Sequence, residues 1–389
     1  MSVTTPVFLD HHATTPVDPG VLALIERVQR EHFGNPASFG HAFGWAAAGL
    51  VATAREQVAV LVGGQAREII FTGGATEANN LALLGTARRW EQHRRHLVIS
   101  GLEHEAVSAP AAALTRQGWE LTVVAGETTG CIDPRKVQDA LRPDTALVSL
   151  MTAQNEIGTI QPVAEVGRIC KARGILLHSD AAQAVGRIPV DVDELGVDLL
   201  SISAHKMHGP KGVGALWIRS RDPRVTIEPL LYGGGQERGL RPGTLNVPGI
   251  VGFGEACRIA AEVLPDESAR LRLLRDSLLD HLVGELDGVH LNGVREPRLP
   301  GSLNVSVEGV PAHRLLGALT ELAVSSSSAC SSVDSEPSEI LRALGRPDDL
   351  ARASLRIGLG RFNTEEEITF AGRRIVEVVR SLRLSLPRK

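Results

Sequence analysis

Cysteine, charge of one sign and long apolar runs are what this chain has little of. Its 389 residues include four cysteines, Cys131, Cys170, Cys257 and Cys330, with no C-x-x-C pair and no zinc-ligand spacing. That excludes a disulfide framework, leaves no metal site to expect, and makes a reducing, cytoplasmic compartment the default. Basic and acidic residues number 41 and 45, for a formal net charge of −4. Such a balance lacks the electrostatic footprint of a nucleic-acid binder, and none is expected as a partner. No apolar stretch approaches the length of a membrane span, and the N-terminus lacks a basic-then-apolar signal. Internal repeats and low-complexity linkers are missing too. The Gly-rich turn near Gly73 is no G-x-G-x-x-G followed by a downstream acidic residue, which removes the dehydrogenase reading.

What is present is ordinary globular composition, 43% hydrophobic and 22% charged, at a length that buries a large core without staples. Length alone predicts two to three domains, or one large α/β domain with an appendage. Apolar runs of strand length at 68–72, 97–100, 121–125, 146–151, 175–179, 199–201 and 214–218 alternate with helical spacing at 76–89, 105–117 and 163–173. That alternation predicts a mostly parallel sheet covered on both faces, with ligands bound beyond the carboxyl ends of its strands. From about Val247 the pattern changes. Helices over 248–263 and 266–286 lead into strands at 289–292 and 302–307, a helix over 312–322, a strand at 354–358 and a last helix over 364–382. This predicts a smaller α+β domain. The run Ser325–Ser332, with Cys330 inside it, is expected to be mobile.

Three strand ends carry complementary chemistry. Lys206 stands in Ser203-Ala204-His205-Lys206-Met207-His208-Gly209-Pro210, directly after an apolar run. A lysine there is desolvated, its pKa falls and its amine becomes nucleophilic enough to react with an aldehyde cofactor. Lys211 is the competitor, in a turn toward the next strand. Gly73-Gly74-Ala75-Thr76 follows a strand and opens a helix, where backbone N–H groups and the dipole favour phosphate; a plain glycine turn is the alternative. Asp180 ends the strand before Lys206 and suits a protonated pyridine nitrogen, or else caps a helix. Phosphate cradle, carboxylate and amine are the parts that pyridoxal 5′-phosphate (PLP) needs. His104, just past a strand end, is either a ring-stacking acid/base or a polar loop histidine. Cys330 lies outside any apolar periodic segment and is the cysteine able to act as a nucleophile, against an idle thiol. Arg356 interrupts an apolar strand and suits a carboxylate, or a strand-edge ion pair.

Taken in order, these stretches resemble the cysteine desulfurases of the class V, fold-type I PLP family, of the long-loop type, nearly end to end. The residues that carry the resemblance are Leu9-Asp10-His11-His12-Ala13-Thr14-Thr15-Pro16, Phe33-Gly34-Asn35-Pro36 and Gly74-Ala75-Thr76-Glu77-Ala78-Asn79-Asn80. They continue through Glu103-His104, Gln154-Asn155-Glu156-Ile157-Gly158, Asp180-Ala181-Ala182-Gln183 and Ser203-Ala204-His205-Lys206. Last come Arg238-Gly239-Leu240-Arg241-Pro242-Gly243-Thr244, Ser328-Ala329-Cys330 and Leu355-Arg356.

The resemblance implies an α/β fold. A large PLP domain over 15–258, with a mostly parallel mixed seven-stranded sheet, is joined to a smaller α+β domain from 1–14 and 259–389. It implies Lys206 on the PLP aldehyde, Asp180 at the ring nitrogen, His104 stacked on the ring, and Asn155 and Gln183 at the ring face and 3-hydroxyl. Ala75, Thr76, Ser203 and His205 hold the phosphate, Thr244 reaches the phosphate of a second subunit in a homodimer, and Arg356 clamps the substrate carboxylate together with Asn155. Cys330 takes the sulfur of L-cysteine as a persulfide, leaving alanine, and passes it to an acceptor protein in iron–sulfur cluster assembly or thiolation. Where long-loop relatives carry glycine before Ser-Ala-Cys, this chain has Ser327, and its C-terminus is short of the tail that docks a scaffold. A class V aminotransferase, a selenocysteine lyase and an idle scaffold are the rival readings. The aminotransferase needs no accessible cysteine, and an idle scaffold does not need Lys206, Asp180, His104 and Cys330 together.

Overall fold

A computed structural model describes residues 3–326 and 336–385. In chain order its elements are β1 (Val7–Phe8), α1 (Pro19–Glu31), α2 (Ala42–Leu61), β2 (Ile69–Thr72), α3 (Ala75–Trp90), β3 (His96–Ser100), α4 (Glu105–Thr115) and β4 (Glu120–Val124). Next are α5 (Pro134–Ala140), β5 (Thr145–Ser149), α6 (Val163–Arg173), β6 (Leu176–Asp180), α7 (Val192–Leu195), β7 (Leu199–Ser203) and β8 (Gly214–Ile218). The rest are α8 (Val247–Glu285), β9 (Val289–Leu291), β10 (Ser302–Val307), α9 (Ala312–Ala318), β11 (Leu322–Ala323), α10 (Glu339–Ala343), α11 (Asp348–Ala351), β12 (Ser354–Gly358) and α12 (Glu365–Ser385).

Seven strands form the main sheet in the order β2-β8-β7-β6-β5-β3-β4, with β8 antiparallel to both neighbours and every other pairing parallel. All but β4 are buried or nearly so along their length, as strands covered on both faces must be. One face packs on α3 and α4 through residues such as Leu81, Leu83, Ile99 and Leu216. The other packs on α2, α6 and the first half of α8 through residues such as Val58, Val166, Ile202 and Phe253. A separate apolar cluster gathers β10, β12, α12, the second half of α8 and the N-terminal Val7 and Leu9. There β10 pairs antiparallel with β9 and β12, while β1 lies parallel to β11.

The two helices expected on either side of Pro265 are one helix, α8, with the proline inside it. A proline removes one ladder bond at a cost of roughly 3 kcal/mol. Here the flanking halves are each fixed by packing, Ile250 to Cys257 in one core and Leu271 to Leu282 in the other. The helix expected to reach Leu322 stops at Ala318. No helix among the described residues is long and apolar enough to cross a membrane.

Candidate active site

A cavity of about 970 Å³ opens beyond the carboxyl ends of β2, β6 and β7. At one end, Gly73 and Gly74 turn β2 into α3. Gly74 has φ of 145°, a conformation that L side chains rarely adopt, and a Cβ on Gly214 of β8 would come 2.8 Å from its Cα. Two glycines are therefore required for this close approach. Gly74 is the N-cap, so Ala75 and Thr76 form the first turn, whose N–H groups lack intrahelical partners. Ala75, Thr76, Ser203 and His205 all line the cavity. The Gly73 N–H is already donated to Glu77 Oε2 at 2.7 Å, and Glu77 in turn pairs with Arg241. Burial, then the charges of Lys206 and Lys211, push the His205 imidazole down to about 4, so it is neutral.

Lys206 ends a single 3-10 turn, residues 204–206, that follows β7. Its Nζ donates to the backbone carbonyls of His12 at 2.6 Å and Ala13 at 2.8 Å. Burial, with the nearby guanidiniums of Arg187 and Arg356, brings the amine down to about 8. Lys211 lies at the exposed rim of the same cavity. Asp180 is buried; its Oδ1 accepts from the Ala182 N–H at 2.9 Å and its Oδ2 from Asn79 Nδ2 at 2.6 Å. No helix follows, only a turn over residues 182–184, so this contact closes a turn and is not the helix cap weighed for Asp180; a carboxylate oxygen with one partner still has a lone pair for a second donor. His104 caps α4, its Nδ1 accepting from Ala106 N–H, which leaves the ring proton on Nε2. Asn155 and Gln183 border the cavity as well.

Arg356 lies on β12 and reaches the cavity with its guanidinium. The strand-edge ion pair is there: Nη2 donates to Asp10 Oδ1 at 3.1 Å, and Asp10 Oδ2 accepts from Ser325 at 2.7 Å. Nε is buried with no partner among the described residues. Thr244 is exposed and does not line this cavity. Cys330 lies outside the described residues. None of the other three thiols borders the cavity, and burial raises each of them, Cys170 to about 12.

Sequence reasoning assigned no role to Asn79, Asp10, His12, Arg187 or Glu103. Arg187 donates to the Lys206 and His11 carbonyls and to His12 Nδ1 and Gln183 Oε1. Glu103, beside His104, accepts from Ser100 and the Met151 N–H, and burial pushes its carboxyl up to about 8. The signal for these residues was faint. Asp10, His12, Asn79 and Glu103 stand inside the stretches quoted above, while Arg187 follows Gln183 by four. Among the described residues no cluster of side chains could hold a metal ion.

A helix N-terminus with unpartnered N–H groups, an oriented buried carboxylate and an amine lowered to about 8 line one cavity of about 970 Å³, a donor set and a size that suit PLP. The donor set also suits an amino-acid substrate, through the guanidinium of Arg356. Comparison with known proteins agrees. The chain matches the aminotransferase class-V family over residues 7–370. It is 51% identical over 382 residues to the cysteine desulfurase IscS of Anaeromyxobacter dehalogenans, covering 98% of this chain and 94% of that one. Among solved structures, a NifS-like protein superposes with a TM-score of 0.89 at 38% identity, over 96% of this chain and 99% of that one. SspA in complex with cysteine superposes with a TM-score of 0.81 at 34% identity, over 93% and 100%.

Proposed function

The chain belongs to the cysteine desulfurases of the class V aminotransferase family, and from that premise we propose that its cavity holds PLP on Lys206 and strips sulfur from L-cysteine onto Cys330. The observation that carries the assignment of residues is the convergence of Lys206, Asp180, His104, Arg356 and the N-terminus of α3 on one cavity. When bound, PLP supplies an electron sink for negative charge at the substrate α-carbon.

The remaining steps belong to the protein. The α3 N-terminus, Ser203 and His205 hold the phosphate, with Ala75 and Thr76 supplying first-turn N–H groups. Asp180, fixed by Asn79 and the Ala182 N–H, would pair with a protonated ring nitrogen. With PLP bound, His104 would stack on the ring, and Asn155 and Gln183 would contact its face and its 3-hydroxyl. Arg356, steadied by Asp10, takes the substrate α-carboxylate. Lys206 Nζ removes the α-proton, a task suited to an amine whose pKa is near 8. The Cys330 thiolate then bonds to the substrate sulfur as the Cβ–S bond breaks. The bond pair stays with carbon, protons complete alanine, and Cys330 holds the sulfur as a persulfide. No outside oxidant or reductant is needed, and the sulfur leaves with an acceptor protein.

A second copy of the chain completes the site. Support comes from Thr244, which lies away from its own cavity, and from Phe33, Phe39, Phe43 and Trp45, all more than half exposed in a chain of only eight Phe, four Trp and one Tyr. Isolated surface apolar residues are ordinary, whereas a run of large ones marks an interface. The test is incubation of the purified protein with L-cysteine and a dithiol, which releases the persulfide sulfur as sulfide and is itself oxidised to a disulfide. Alanine and sulfide should form in equal amounts, and Cys330→Ala should release almost no sulfide while still binding L-cysteine. Parental sulfide release by Cys330→Ala would remove that residue from the mechanism.

A further inference from the structure

Two buried nitrogens on residues that border the cavity have no partner among the described residues: Nε2 of His12 and Nε of Arg356. His12 is 2% exposed. Which of its nitrogens carries the proton is set by Arg187. Nδ1 lies 2.7 Å from Arg187 Nη1 and 3.1 Å from Gln183 Oε1. A guanidinium has donors only, so at 2.7 Å Nδ1 has to accept, and the ring proton sits on Nε2. Gln183 needs no histidine proton, since its Oε1 receives Arg187 Nη1 at 3.1 Å. Burial first, then Arg187, holds the ring neutral, well below the usual imidazole range. His12 thus offers a fixed N–H with no acceptor in the described chain.

The backbone puts this donor beside Arg356. Asp10 forms a parallel bridge with Gly358, and Gly358 stands two residues beyond Arg356 on β12. Residues two apart share a strand face. A Cβ on Gly358 would come 2.7 Å from His12 Cδ2. The imidazole therefore occupies the room that the glycine leaves, on the face of β12 that carries the Arg356 side chain. A buried donor left unmade is destabilising, and a ligand with two acceptor oxygens relieves both vacancies at once.

We propose that His12 Nε2 is a second hydrogen-bond donor to the substrate α-carboxylate, acting beside Arg356 and making the site specific for carboxylate-bearing amines. This rests on the desulfurase reading of the cavity. A neutral donor suits the place. Lys206 already feels Arg187 and Arg356, and a third cation would hold its amine further toward the neutral form, while an imidazole adds grip without charge. Because Arg187 fixes the tautomer from outside the cavity, it is the positioning residue of this subsite.

The test compares binding of L-alanine and of ethylamine, which lacks the carboxylate, to the PLP-loaded enzyme by calorimetry. His12→Ala should weaken L-alanine about tenfold, the worth of one hydrogen bond to a charged group, and leave ethylamine unchanged. His12→Gln, which returns an N–H at similar reach, should recover most of the loss. Equal weakening of both ligands in His12→Ala would mean general distortion and overturn the proposal. If Arg356→Ala weakens L-alanine and His12→Ala does not, His12 is wrong and the site reading stands. If neither variant discriminates, the carboxylate site itself is misplaced. A measurement without any substitution is independent of folding: in histidine-labelled enzyme, the His12 Nε2–H resonance should move on adding L-alanine and not ethylamine. A resonance indifferent to both would overturn the assignment.

Discussion

Lys206 is held where an amine is least comfortable as a cation, yet its nearest contacts are two carbonyls that welcome one. Burial and the neighbouring guanidiniums win, and the amine falls from the usual lysine range to about 8. The sign of the consequence is fixed. The neutral, reactive form dominates above pH 8 rather than above 10. Covalent capture of PLP by the apo-enzyme, followed by borohydride reduction and peptide mass spectrometry, should therefore reach half its limiting rate near pH 8. Modification should fall on Lys206, and Lys206→Arg should abolish it; a midpoint near 10 would show the amine to be solvated. Lys206 and Asp180 were readable in sequence because strand ends announce themselves through an apolar run that stops at a polar residue. Arg187, His12 and Asn79 were not. Their partners lie far along the chain, Arg187 standing 175 positions from His12 and Asn79 101 from Asp180. No local pattern encodes such pairings.

Elements were legible to the extent that local pattern governs them. The strands at 214–218, 302–307 and 354–358 and the helix over 163–173 have the bounds their periodicity predicts. The antiparallel placement of β8 and the sheet order are long-range facts that periodicity does not hold. Neither does the passage of α8 through Pro265, because a stop signal is local and the two cores that override it are not. The first half of α8 lies so close to α2 that Gly254 has no room for a side chain. A Cβ there would meet Ala54 Cα at 2.6 Å and Ala54 Cβ at 2.7 Å. Gly254→Ala should accordingly lower stability by about 1–3 kcal/mol through overpacking, read as a lower urea midpoint with an unchanged slope. Gly284, in the same helix, has nothing within 4 Å of such a Cβ. Gly284→Ala should raise stability by up to about 1 kcal/mol, from helix propensity alone. Equal effects of the two would mean that close packing of α2 on α8 does not decide where this helix needs glycine.

At the scale of the whole molecule, one exposed segment is out of keeping with a monomer. Phe33 and Phe43 stack at 5.3 Å between ring centroids, and Trp45 donates to the Phe39 carbonyl at 2.7 Å, so the segment is ordered on its own. Order of this kind leaves Phe33 70%, Phe39 80%, Phe43 55% and Trp45 60% exposed. Burying one such side chain is worth about 1.5–3 kcal/mol, and four together are ample to hold a second copy. Phe39 is the most open of them, at 80% exposed, and its ring makes no aromatic pair among the described residues, so changing it spares the monomer. Phe39→Asp should shift the protein toward monomer in light scattering at micromolar concentration. If Thr244 serves the partner's phosphate, that monomer should also lose PLP on dialysis, though none of the groups around its own cavity has changed. Thr244→Ala should separate the two effects, loosening PLP while the dimer persists. A Phe39→Asp protein that stays dimeric would take this surface out of the interface. A monomer that keeps PLP as tightly as the parent would show each cavity to be complete within one chain.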